Sequence, residues 1–131
     1  MLPDFLVDRS IGRRVVDLLR EEGLTIHTLA DVFGEERAQA MFDPEWIMHA
    51  GKHGMLALTK DKHIRHRTIE RDSVAAAHVH LFALAAGNLG FQATADAFIA
   101  AAPRMQAEAA TVQGGVIWVV HRDGNIFRQW P

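Results

Sequence analysis

Three aspartates sit where a strand or helix begins or ends, a placement suited to holding a metal ion. Asp8 directly follows the apolar run Phe5-Leu6-Val7. Asp61 closes Thr59-Lys60-Asp61, just past the run Met55-Leu56-Ala57-Leu58-Thr59. Asp43 opens Asp43-Pro44-Glu45-Trp46, which reads as a helix start with an Asp cap and Pro in the first turn. In open α/β sheets, ligands gather outside the carboxyl ends of the strands. Asp8 and Asp61 then share one edge, and the helix start at Asp43 can face it. Hard divalent cations such as Mg²⁺ and Mn²⁺ take such oxygen ligands and keep several waters. An ion so held activates water and stabilises charge developing on a phosphate. Each aspartate also has a plain structural reading, Asp43 as a helix cap and the other two as strand-end residues.

The densest positive segment begins beside Asp61. Lys60, Lys62, Arg65, Arg67 and Arg71 crowd into it against Asp61 and Glu70, and Arg9, with Arg13 and Arg14 behind it, extends the charge beside Asp8. Phosphate contacts of this kind position a nucleic acid; the alternative is a solvated helix face. His63 and His66 lie three apart, and His78-Val79-His80 put two imidazoles on one side of an expected strand. Zinc needs about three protein ligands and a supporting shell. No HExxH motif is present, so His78 and His80 read as hydrogen-bonded structural residues. Walker, dinucleotide GxGxxG and Ser/His/Asp signatures are missing.

The elements that must place the acids follow from periodicity. Strands are expected at Phe5–Val7, Leu24–Leu29, Met55–Thr59, His78–Ala83 and Val116–Val120, with a closing strand at Ile126–Trp130 after the turn Arg122-Asp123-Gly124-Asn125. Ser10 caps a helix with the inner face Ile11, Val15, Leu18 and Leu19, stopped near Gly23. Residues 31–42 read as a loop with some helix. Helices follow at 43–50 and roughly 64–76. After a turn at Gly87-Asn88, Phe91, Ala95, Phe98, Ile99, Ala102 and Met105 keep helical spacing, and Pro103 is expected to kink or split that helix. The alternation of strands and helices predicts a parallel sheet covered by helices, with an antiparallel edge.

The 131 residues suit one domain, 1–131, able to bury roughly two-thirds of its unfolded surface. Net charge is −2, so nucleic acid must be met by a local patch rather than a global basic surface. Without cysteine there is no disulfide framework, thiolate metal site or cysteine nucleophile. No apolar run is long enough to span a membrane, and the first residues do not read as a secretion signal.

Phe5 to Arg14, then Asp43-Pro44-Glu45-Trp46, then Leu58-Thr59-Lys60-Asp61 resemble a PIN-like domain, most closely the ribonuclease toxins of VapBC-type toxin–antitoxin systems. The resemblance runs over nearly the whole chain. It implies a three-layer α/β/α fold with a mainly parallel sheet and a C-terminal β-hairpin. It also implies Mg²⁺- or Mn²⁺-dependent cleavage of RNA in the cytoplasm, with Asp8, Asp43 and Asp61 as the catalytic, metal-binding acids. The implied partners are RNA and a small antitoxin protein, with a homodimer left open. Many PIN domains carry a fourth acid after the fourth strand, where this chain has Leu84-Ala85-Ala86-Gly87-Asn88. Asn88 could offer a neutral oxygen, or three acids suffice; Glu45, two residues from Asp43, cannot share its helix face. Two rivals stand beside this reading. One is a receiver-like signalling domain phosphorylated on Asp61, and the other a non-catalytic RNA- or protein-binding PIN relative.

Overall fold

The computed structural model describes residues 2–131. The chain runs β1 (Phe5–Val7), α1 (Arg13–Glu21), β2 (Ile26–Thr28), α2 (Leu29–Phe33), α3 (Glu35–Ala40), α4 (Asp43–Lys52), β3 (Leu56–Thr59), α5 (Thr68–Ala77), β4 (His80–Leu84), α6 (Phe91–Thr111), β5 (Val116–Val120) and β6 (Ile126–Trp130). The six strands form one sheet in the order β2-β1-β3-β4-β5-β6, parallel except for the antiparallel pair β5 and β6.

Alternation along the strands divides the core between the two faces of the sheet. Phe5, Val7, Leu58, Phe82 and Trp118 pack against Val15 and Leu19 of α1 and Phe98 and Met105 of α6. Leu6, Ala57, Leu81 and Ile117 face the other way, onto Trp46 and Ile47 of α4 and Val74 of α5. The result is the three-layer α/β/α arrangement with a C-terminal hairpin. Among the described residues no helix is long and apolar enough to cross a membrane.

Several boundaries differ from the sequence expectation, each for a local reason. The second strand is only Ile26–Thr28, because Thr28 leaves it to form a reciprocal cap with Asp31 at the start of α2. Helix α5 begins at Thr68 rather than 64. The Asp61 carboxylate takes the His63 N–H at 2.9 Å and the Asp61 carbonyl takes the Ile64 N–H at 3.3 Å, holding the chain in turns while Ile64 plugs the core. His78 lies outside β4: it ends α5 in the left-handed conformation, φ 55°. Helix α6 runs unbroken through Pro103. Pro103 is exposed, while Phe98, Ala101, Ala102 and Met105 are buried, so tertiary packing holds the helix across the missing hydrogen bond.

Helices α4 and α5, which carry Asp43 and Glu70, approach closely at Gly51. A Cβ there would lie 2.3 Å from the Ala77 carbonyl oxygen. Gly51→Ala is therefore expected to lower stability by about 1–3 kcal/mol through overpacking. Urea unfolding tests this, and a variant as stable as wild type would show that the two helices separate without penalty.

Candidate active site

Asp8 stands at the carboxyl end of β1 and is only 5% exposed. Parallel pairing of β1 with β3, Val7 opposite Leu58, brings Thr59 alongside it. Thr59 Oγ1 donates to Asp8 Oδ2 at 2.6 Å. Ser10 donates to Oδ1 through its backbone N–H at 3.1 Å and through its hydroxyl. Ser10 Oγ in turn accepts the Lys60 N–H at 2.9 Å. Ser10 is thus committed to Asp8 and the end of β3, and does not cap a helix; Gly12 precedes α1 without a side-chain cap. Burial pushes the Asp8 carboxyl up from its ordinary 3.8 to about 6; the Ser10 and Thr59 hydrogen bonds oppose that rise, and the nearby Asp43 charge adds to it.

Thr59 couples two of the three aspartates, since the hydroxyl that donates to Asp8 accepts the Asp61 N–H at 3.0 Å. This is the physical content of the Thr-x-Asp spacing. Asp43 lies in the first turn of α4, with Phe42 as the cap residue. Its side chain does not cap the helix: Oδ1 accepts from the buried Trp46 Nε1 at 3.0 Å. Its other oxygen lies 3.6 Å from an Arg67 guanidinium nitrogen that also meets Asp61 at 2.7 Å. The two carboxylate oxygens are therefore no farther apart than those two contacts laid end to end. The fold brings Asp8, Asp43 and Asp61 to one edge.

Glu70 also belongs to this edge and was not singled out by sequence reasoning. It lies in the first turn of α5, is buried, and accepts from Arg67 Nε at 3.0 Å. The available signal was the Arg-x-x-Glu spacing, which puts both side chains on one helical face. Glu45 points elsewhere and pairs with Arg37 at 2.7 Å.

Most of the other basic residues have partners of their own. Lys60 Nζ donates to the Leu89 carbonyl at 3.2 Å, and Arg9 donates to that of Gln39. Arg65 donates to the Lys62 carbonyl, while Arg71 donates to the Arg65 carbonyl and lies over the Trp130 ring. Lys62 and His66 are exposed. A shallow cleft lined by Lys60, Asp61, Lys62, His63 and residues 85–88 places Asn88 on the rim shared with Asp61. His80 is engaged at both ring nitrogens: Nδ1 accepts from Trp118 Nε1 and Nε2 donates to the Val112 carbonyl, each at 3.0 Å. Burial lowers its pKa and favours that neutral form.

The donors around the site are hard oxygens, the set that Mg²⁺ or Mn²⁺ takes through one or two carboxylates and water. Asp8 fits such an ion: it is a buried carboxylate solvated by hydroxyls and an N–H, with no ion pair among the described residues. As placed, no three acidic or histidine side chains among the described residues form a closed cage, and the Arg67 guanidinium contacts both Asp43 and Asp61.

The family described as "PIN like domain" matches residues 3–86, a span that contains all three aspartates. The chain belongs to the PIN-like domain family. A protein described as "Putative ribonuclease VapC45", from Mycobacterium tuberculosis (strain ATCC 25618 / H37Rv), is 32% identical over 121 residues, covering 92% of this chain and 87% of the relative. No solved structure shows a significant match. Membership of the PIN-like family does not favour the receiver reading of Asp61.

The raised pKa of Asp8 has a stability signature in metal-free protein. The folded state holds this proton more tightly than the unfolded chain, so stability falls as pH rises from about 4 to about 6, and the loss persists above that window. A two-unit rise corresponds to about 3 kcal/mol at most. In EDTA at neutral pH, Asp8→Asn is expected to be more stable than wild type by about 1–3 kcal/mol, a gain that vanishes near pH 4. Denaturant melts of both proteins across this range measure the difference, and a pH-independent gap would contradict the assignment.

Proposed function

We propose that this chain is a single-domain, metal-dependent endoribonuclease that hydrolyses phosphodiester bonds in RNA and acts as the toxin of a toxin–antitoxin pair. The observation that carries the reading is the convergence of Asp8, Asp43 and Asp61 in a PIN-like fold, with Thr59 bonded to both Asp8 and Asp61. The described likeness to a ribonuclease supports the same reading. Asp8, Asp43 and Asp61 would hold Mg²⁺ or Mn²⁺. When bound, that ion supplies an acidified water and offsets charge on the scissile phosphate.

The chain's own groups do the positioning. Thr59 and Ser10 fix the Asp8 carboxylate by donating to both of its oxygens. The Trp46 indole fixes Asp43, and the His63 N–H fixes Asp61. Lys60, Lys62, Arg65, Arg67, Arg71 and Arg9 supply positive charge along the path of an RNA strand. A small antitoxin protein as partner, a homodimer and action in the cytoplasm belong to the same reading.

Incubation with a mixed RNA pool, with Mn²⁺ and with EDTA, tests the function. Cleavage in Mn²⁺ alone is expected, and Asp8→Asn, Asp43→Asn and Asp61→Asn should each abolish it in folded protein. RNA binding without metal-dependent cleavage would instead establish the non-catalytic PIN relative. Neutralising Lys62 and Arg65 together should weaken RNA binding and reduce its salt slope by about 0.7 for each phosphate that the protein no longer neutralises. An unchanged slope would assign both residues to a solvated face.

A further inference from the structure

A three-acid metal site leaves the Arg67–Glu70 pair unexplained. Glu70 is anchored in the first turn of α5, where the helix dipole favours an acid, and its carboxylate is buried. It engages Arg67 through Nε at 3.0 Å. A second nitrogen of the same guanidinium, Nη2, reaches Asp61 at 2.7 Å and Asp43 at 3.6 Å. These two contacts are the more exposed ones, with the Asp43 and Asp61 side chains 25% and 32% accessible against 8% for Glu70. Nε is thus tied to a sheltered anchor, while Nη2 rests on oxygens that a metal ion would need.

We propose that Glu70 is a positioning residue that holds Arg67 as an exchangeable cation over Asp43 and Asp61. Without a divalent ion, the guanidinium neutralises these two acids. With the ion bound, the terminal nitrogen leaves them. Still tethered through Nε, the guanidinium then presents its freed Nη2 to an RNA phosphate. A planar fork with several donors can keep one partner while changing another, whereas a lysine ammonium has no such geometry. The proposal rests on the metal-site reading above and adds a competition between Arg67 and the ion for the same carboxylates.

The test measures Mn²⁺ affinity by titration calorimetry for wild type, Arg67→Gln, Arg67→Lys and Glu70→Gln. Circular dichroism reports on folding. Binding of a non-cleavable, 2′-O-methylated single strand is measured in Mn²⁺ and in EDTA. Arg67→Gln is expected to bind Mn²⁺ about tenfold more tightly, a coupling of ordinary size for two linked sites. The same variant should bind the strand more weakly in Mn²⁺, with a salt slope reduced by about 0.7. Glu70→Gln should shift both readings in the same direction by less. Arg67→Lys, whose ammonium cannot keep Glu70 while reaching a second partner, should shift both readings in the same direction as Arg67→Gln, and it carries the test if the glutamine variant does not fold.

Wild-type binding of Mn²⁺ with no gain in affinity in folded Arg67→Gln, or in Arg67→Lys should the glutamine variant fail to fold, would overturn the exchange and leave the metal site standing. Failure of every protein to bind Mn²⁺ would overturn both. Unchanged strand binding in Mn²⁺ would remove Arg67 from phosphate recognition and end the proposal.

Discussion

A carboxylate buried at the edge of an apolar sheet is the constraint on which this structure turns. Removing an ionised group from water is costly unless its lone pairs are occupied. The fold meets that demand for Asp8 with neutral donors, the Thr59 hydroxyl and the Ser10 hydroxyl and N–H. These groups solvate the charge without neutralising it, and burial still pushes the carboxyl up to about 6 against their pull. Ser10 lies two residues beyond Asp8, but Thr59 comes from the end of β3, so β1 must lie beside β3 in the observed register for Thr59 to reach Asp8. The parallel centre of the sheet and the chemistry at its edge are thereby one requirement.

The other acids are handled differently. Asp43, Asp61 and Glu70 share one guanidinium, and they sit on segments fixed by packing: α4 by Trp46 and Ile47, the turn after Asp61 by Ile64, α5 by Val74. Two unit charges about 5 Å apart repel by roughly 3 kcal/mol at an effective dielectric near 20, and less when exposed. The edge therefore holds one solvated but uncompensated acid beside acids compensated by a movable side chain. That imbalance suits a site completed by a cation arriving from outside.

Much of this was legible in the sequence because it rests on local pattern. The buried runs before Asp8 and Asp61 mark the ends of central parallel strands, and the turn at Arg122–Asn125 marks the hairpin. What was not legible depends on which partner each side chain takes, and residue type alone leaves that open. Ser10 has the residue type of a helix cap, yet its hydroxyl is claimed by Asp8 and by the Lys60 N–H at the end of β3. Asp43 likewise serves the Trp46 indole rather than the backbone. Arg67 and Glu70 read as members of a charge run, and only the approach of α5 to the Asp61 turn brings that pair to the acids. His78 alternates with His80 as a strand would, but its left-handed backbone ends α5 two residues before the strand starts.

Anomalous diffraction from crystals soaked in Mn²⁺ shows whether Asp8, Asp43 and Asp61 form one divalent-cation site from which Arg67 is displaced. A manganese peak is expected between oxygens of these three aspartates, with the Arg67 guanidinium withdrawn from Asp61 and still bonded to Glu70. A peak elsewhere, or an Arg67 that keeps both aspartates while the soak leaves the edge without manganese, would contradict that arrangement.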